Sequence, residues 1–139
     1  MKSTVDGRIL AFDWGLRRIG VAVGNSLLKT GEPLCVINAK EGAPNWHQVE
    51  ELLQEWQPQL LLVGDPLNMD GSAAEITARA RRFGRQLAGR FGLPVIPVDE
   101  RLSSREVRYN WEAAGLVPNH AIDAEAAAVI LQTWLSEQT

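Results

Sequence analysis

A mixed α/β fold, with a five-stranded sheet and helices on both faces, follows from three observations on this 139-residue chain. Three short apolar runs, residues 9–13, 19–24 and 34–39, follow one another with glycine-containing turns between, as in an antiparallel meander. Two more, residues 60–64 and 94–98, alternate with stretches of helical periodicity, as in parallel strands joined by helical crossovers. With 45% hydrophobic residues the chain is long enough to bury one core, so all of it, residues 1–139, is expected to form a single domain.

Taken in order, the first run, Ile9-Leu10-Ala11-Phe12-Asp13, ends in a carboxylate followed by Trp14-Gly15; the second begins at Ile19 after Leu16-Arg17-Arg18. Residues 25–33 form a loop or hairpin arm leading to the third. Asn45 is a helix cap, with Gln48 three residues on to close a capping box. Trp46, Val49, Leu52, Leu53 and Trp56 recur at helical spacing, and Pro58 stops the run. Leu60-Leu61-Leu62-Val63-Gly64 is uniformly apolar, so it reads as a strand covered on both sides, and a polar loop from Asp65 to Ser72 follows. The next helix spans about 74–90, with Ile76, Ala80, Phe83, Leu87 and Phe91 on one arc and Arg81, Arg82 and Arg85 turned to solvent. The fifth strand ends in Asp99-Glu100-Arg101. Ser103 and Glu106 form a second capping box, Gly115 ends that helix, and a last helix carries Ile122, Ala126, Val129, Ile130 and Trp134 on one side.

Composition narrows the function classes. The N-terminus lacks the apolar core of a signal peptide, no apolar run reaches membrane-span length, and the one cysteine, Cys35, sits in an apolar stretch where it packs as a small hydrophobe. These features point to the cytoplasm and away from a membrane. The net charge is −3, but residues 79–108 carry eight of the fourteen basic residues and three acids, leaving that stretch at +5 and the remainder at −8. Such asymmetry suggests a local surface for polyanions, although arginine clusters are often no more than solvated helix faces.

The first strand and the two late strands run parallel in this topology, so their C-terminal ends open on one edge, where α/β sheets place their sites. Asp13, Asp65 and Asp99-Glu100 fall there, and Asp123 would join them if the last helix packs under that edge. Carboxylates crowded together repel unless a cation lies between them, and hard oxygen donors without histidine or cysteine suit Mg²⁺ or Mn²⁺. Two such ions can activate water and stabilise the leaving oxygen of a phosphodiester. Taken singly, each acid also has a structural reading: Asp13 and Asp65 as turn residues, Asp99 and Glu100 as partners of Arg101 or Arg105, Asp123 as a favourable charge near a helix N-terminus. His47 reads as helix surface and His120 as a phosphate contact or proton carrier.

At these residues the chain resembles the YqgF (RuvX) family, bacterial relatives of the Holliday-junction resolvase RuvC within the ribonuclease H-like superfamily. The matching pieces are residues 12–23 (Phe-Asp-Trp-Gly-Leu-Arg-Arg-Ile-Gly-Val-Ala-Val), 63–72 (Val-Gly-Asp-Pro-Leu-Asn-Met-Asp-Gly-Ser), 98–104 (Val-Asp-Glu-Arg-Leu-Ser-Ser) and 122–127 (Ile-Asp-Ala-Glu-Ala-Ala), in family order over nearly the whole domain. The resemblance implies a ribonuclease H-like fold and a metal-dependent nuclease that trims the 5′ end of precursor 16S rRNA, with Holliday-junction resolution or transcription antitermination as alternatives. It also implies that Asp13, Glu100 and Asp123 are the catalytic, metal-holding acids; Asp65, which follows the strand expected beside the first, is a further candidate on strand order rather than on the resemblance. Gly15 and Gly20 would keep the strand turn open, and Arg17, Arg18 and Arg101 would contact phosphate. Two departures from the family pattern stand out. Asp65 adds an acid after the loop glycine, and Pro118-Asn119-His120 stands where many members are rich in lysine, shifting reliance toward Arg81, Arg85 and the rest of the arginine helix.

The expected partner is nucleic acid, precursor rRNA or branched DNA, bound mainly through its phosphates by a monomer or homodimer. Two rivals remain at this point. Asp13-Trp14-Gly15 also resembles the first phosphate loop of an actin-like ATPase, although this chain has residues for only one of the two lobes such a fold needs. A non-catalytic RNA-binding module would use the arginines and leave the acids structural.

Overall fold

The computed structural model describes residues 6–67, 70–99 and 119–138. Strands β1 (Arg8–Asp13), β2 (Arg18–Asn25), β3 (Thr30–Lys40) and β4 (Ala43–Pro44) are followed by helix α1 (Trp46–Trp56), strand β5 (Leu60–Asp65), helix α2 (Glu75–Phe91), strand β6 (Val95–Asp99) and helix α3 (Asn119–Glu137). They form a mixed sheet in the order β4-β3-β2-β1-β5-β6, antiparallel through the meander and parallel where β1 meets β5 and β5 meets β6.

The sheet has six strands rather than the expected five, because Ala43 and Pro44 pair with Lys40 and Ala39. Two residues are too few to show a periodic pattern. β3 is also longer than its apolar stretch, since Thr30 to Pro33 extend the pairing with β2 as an arm that puts little apolar surface in the core. The arm is joined through a bulge: Val21 faces Cys35 while Ala22 faces Pro33, leaving Leu34 as the extra residue.

Period-two alternation divides the core between the sheet's faces. Leu10, Phe12, Ile19, Val21, Leu61 and Val63 pack with Val49 and Leu53 of α1 and Ala80, Phe83 and Leu87 of α2. Ile9, Ala11, Ala22, Leu62 and Val98 pack on the other face with Ala127, Ile130, Leu131 and Leu135 of α3. The helices therefore lie on both faces, as expected.

Asn45 caps α1, its side-chain oxygen accepting from the amides of His47 and Gln48. α1 ends at Gln57, whose left-handed backbone (φ 46°) returns an N–H to Leu53. On α2 the buried arc differs from expectation by one residue: Thr77 is fully buried and Ile76 is 43% exposed. The Thr77 hydroxyl donates to the Pro66 carbonyl and accepts from the Ala74 amide, so hydrogen bonding fixes the start of the helix. On α3, alanines at 124, 126, 127 and 128 are buried with Ile130, Leu131 and Leu135, whereas Val129 and Trp134 are only half-buried. Small side chains lie innermost where the α3 backbone comes directly against β2 at Gly20. The expected helix beginning at Ser103 lies outside the described residues.

Cys35 is half-buried, and its thiol is pushed above its usual range by burial and by the nearby charge of Glu55. Less thiolate at a given pH means slower attack on electrophiles. Iodoacetamide is therefore expected to alkylate folded Cys35 more slowly than the same residue in urea-unfolded chain at pH 8, with the gap narrowing as pH rises; equal rates in both states would contradict this.

Candidate active site

β1 delivers Asp13 to the sheet edge. Ile9 and Ala11 face α3, so Asp13, two residues further along, lies on that same face, only 4% exposed. Its register partner on β2 is Gly20. A Cβ added at Gly20 would fall 1.9 Å from the carbonyl oxygen of Asp123 and 2.9 Å from the Ala124 amide. The α3 backbone thus rests on the bare Cα of Gly20, directly across the strand pair from Asp13. Two turns further along α3 the device recurs, with Leu131 seated over Gly24. Gly20 serves as the seat of a helix rather than as an opener of the strand turn. That turn is kept tight by Gly15, where a Cβ would come within 2.7 Å of the Arg18 carbonyl.

The backbone of Asp123, 110 positions from Asp13 in sequence, is thereby seated on the strand residue paired with Asp13. Arg18 Nε donates to Asp123 Oδ2 at 2.8 Å, holding a side chain that is 15% exposed. A carboxylate as buried as Asp13 stays charged only among cations or hydrogen-bond donors. The atoms that could ligate such a cation are carboxylate oxygens, the chemistry that suits a hard divalent ion rather than zinc.

Asp65 belongs to the opposite face. It alternates in phase with Leu61 and Val63, which pack toward α2, and Arg81 of α2 grips it with two donors, Nε to Oδ1 at 2.8 Å and Nη2 to Oδ2 at 2.9 Å. The same pair holds the Arg81 guanidinium above its ordinary value, through the hydrogen bond and then the charge of Asp65. Asp99, the β6 register partner of Asp65, is exposed. Glu100 and Arg101 lie outside the described residues, and no group of three potential ligands gathers among the residues that are described.

The expected phosphate contacts are dispersed. Arg17 is exposed at the β1–β2 turn, Arg18 faces Asp123, and Arg81 faces Asp65. Arg85 lines a cavity of about 280 Å³ between α2 and β6 together with Arg81, Gly84, Val95 and Pro97. His47 is at the helix surface as expected, paired with Glu51 at 2.7 Å. Trp14 is buried under the turn, its Nε1 donating to the Gly42 carbonyl at 3.0 Å, so it offers no open face for stacking a base.

An antiparallel meander continued by parallel strands, with one helix laid across the strand that ends in the acid, defines a ribonuclease H-like fold. Two solved resolvases share it: RuvC of Thermus thermophilus in complex with Holliday junction substrate (TM-score 0.57, 18% identity, 95% of this chain and 96% of that one) and the yeast mitochondrial resolvase Ydc2 (TM-score 0.56, 11% identity, 99% and 81%). A family model described as "RuvX: Holliday junction resolvase" matches residues 7–137, and the chain belongs to that family. Among curated relatives, a protein of Marinobacter nauticus named "Putative pre-16S rRNA nuclease" is 50% identical over 134 residues, covering 94% of each chain. One of the same name from Yersinia pestis is 48% identical over 133 residues, covering 94% of this chain and 95% of its own.

Proposed function

We propose that this protein is a nuclease of ribosome maturation, hydrolysing phosphodiester bonds near the 5′ end of precursor 16S rRNA. The nuclease class rests on family membership and on relatives near half identity along their whole length. The observation that carries the site is the seat at Gly20, which brings the Asp123 backbone against the strand residue paired with Asp13.

Asp13 and Asp123 are the carboxylates that would hold Mg²⁺ or Mn²⁺, with Glu100, which follows β6 directly in sequence, as the third. The ion, when bound, supplies a more acidic water and a counter-charge for the leaving oxygen. The chain's own contribution is rigidity. A strand end and a helix pressed onto a glycine hold the two acids on fixed elements, and Arg18 orients the Asp123 carboxylate. Asp65 is better suited to structure than to metal, being gripped by Arg81 on the far face. Asp65→Ala is therefore expected to cost about 1 kcal/mol of stability, in the range of a partly exposed ion pair, and to leave cleavage within a few-fold of wild type. A loss of cleavage as deep as that of Asp13→Ala would reverse this assignment, as read from denaturant melts and initial rates.

Among the described residues no helix is long and apolar enough to cross a membrane; work on precursor 16S rRNA would be done in the cytoplasm. The test is to incubate the protein with precursor 16S rRNA and with a four-way DNA junction, each with Mg²⁺, with Mn²⁺ and with chelator. Metal-dependent shortening of the RNA is expected. Paired nicks on the junction alone would favour resolution of DNA by a dimer. RNA bound but left intact under both metals would favour the non-catalytic module.

A further inference from the structure

Four basic side chains gather at this same sheet edge on the face away from α3. Arg17 lies in the β1–β2 turn, Lys40 ends β3, and Arg79 and Arg82 lie on the first half of α2. All four are exposed, and among the described residues none is ion-paired with a carboxylate, unlike Arg18 and Arg81. They border two adjoining concavities that share Glu41 and Arg79: one of about 510 Å³ with Leu16, Arg17, Ala39 and Lys40, and one of about 170 Å³ with Trp14 and Arg82.

The floor between them is firmly built. The Ala39 amide donates to the Arg17 carbonyl at 2.8 Å and the Gly42 amide to the Leu16 carbonyl at 2.9 Å, fastening the turn to the end of β3. Trp14 ties in from below through Gly42, and Arg79 lies over its ring at 5.6 Å while donating to the Glu41 carbonyl at 2.8 Å. Trp14 thus anchors an arginine, and among the described residues the cleft carries no open aromatic face for bases. The rest of the chain outside residues 79–108 is net acidic, so this concavity is a local attraction on a protein that otherwise repels polyanions.

We propose that the cleft bounded by Arg17, Lys40, Arg79 and Arg82 is a backbone-tracking site for single-stranded RNA, holding the flank beyond the scissile bond. It rests on the nuclease reading above. Asp13 ends β1 four residues before Arg17 but on the opposite face of the sheet, so a strand reaching this cleft from the acids would cross the edge over the β1–β2 turn. Recognition is through phosphate charge, without base preference, and so depends on salt.

The test uses Lys40→Ala/Arg82→Ala, whose side chains make no hydrogen bond or ion pair with the described residues, so that the loop's fastenings stay in place. RNA binding is measured across a salt series, and cleavage is measured on the precursor and on a short oligonucleotide spanning only the cut. Losing two phosphate contacts is expected to reduce the slope of log affinity against log salt by about 1.4, at ~0.7 per contact for single strands. KM for the precursor should rise several-fold, with kcat and cleavage of the short oligonucleotide unchanged. An unchanged salt slope and KM, in a protein whose wild type cleaves RNA, would overturn the cleft while leaving the nuclease standing. A wild type that binds RNA with the expected slope but never cleaves it would overturn the nuclease and leave the cleft. Binding lost equally for all RNAs together with a lowered melting temperature would identify the two residues as structural and count against the cleft.

Discussion

Asp13→Asn is expected to lower metal-dependent cleavage of precursor rRNA by more than about 100-fold, beyond the ~10–100-fold that loss of an outer partner of a metal ligand costs. The substitution keeps size and shape at a position that is 4% exposed, and removes only the charge that would hold a cation. The thermal midpoint should stay within about 4 °C of wild type, the equivalent of ~1 kcal/mol in a domain of this size. Binding of RNA at low salt should persist, because the basic residues are untouched. Initial rates, melting and filter binding on one preparation check all three. Rates within a few-fold of wild type would remove Asp13 from the chemistry.

Gly20→Ala is expected to be almost as damaging, although the residue carries no reacting group. The new methyl would fall 1.9 Å from the Asp123 carbonyl oxygen and 2.3 Å from its carbon, both backbone atoms that cannot rotate aside. Restoring ordinary contact requires α3 to move off the sheet by about 1.5 Å, and interiors packed like crystals do not absorb such shifts locally. Overpacking of this kind costs about 1–3 kcal/mol, and a misplacement of ~1 Å at a reacting centre can cost about 100-fold in rate. Gly89→Ala is the matched control, since nothing lies within 4 Å of a Cβ there. It should be neutral or stabilise α2 by up to ~1 kcal/mol. Cleavage by Gly20→Ala equal to that by Gly89→Ala would mean that the helix seat does not position the site.

Much of the architecture is legible from apolar runs alone, because β1, β2, β5 and β6 each bury side chains that water would otherwise face. Elements stabilised by something other than burial are not. The β4 pair at Ala43 and Pro44 is defined by a ladder, the β3 arm from Thr30 by pairing with β2, and the start of α2 by the Thr77 hydroxyl, and none of these leaves a hydrophobic period.

The acids show a similar division. That Asp13 and Asp65 end adjacent parallel strands is readable from order, but which face each takes is not. A strand such as Leu60-Leu61-Leu62-Val63 is apolar at every position and carries no phase, so only packing reveals that Asp65 turns toward Arg81 and away from Asp13. That Asp123 joins the edge with Asp13 is readable only on condition that the last helix packs there, because what seats the Asp123 backbone across from Asp13 is the missing side chain of Gly20. The basic cleft is legible only in part. Arg17 and the arginines of α2 stand out in the sequence, but Lys40 does not, and nothing in the sequence brings the β1–β2 turn and the end of β3 beside Arg79 and Arg82.

Asp13 and Asp123 are expected to share a divalent ion. Anomalous diffraction from crystals grown with Mn²⁺ tests it directly. The expected result is a manganese peak at ~2.0–2.2 Å from a carboxylate oxygen of each, in the range typical of small hard divalent cations, and its loss in Asp13→Asn. A peak held instead by Asp65 and Asp99 on the α2 face, with none beside Asp13, would contradict it.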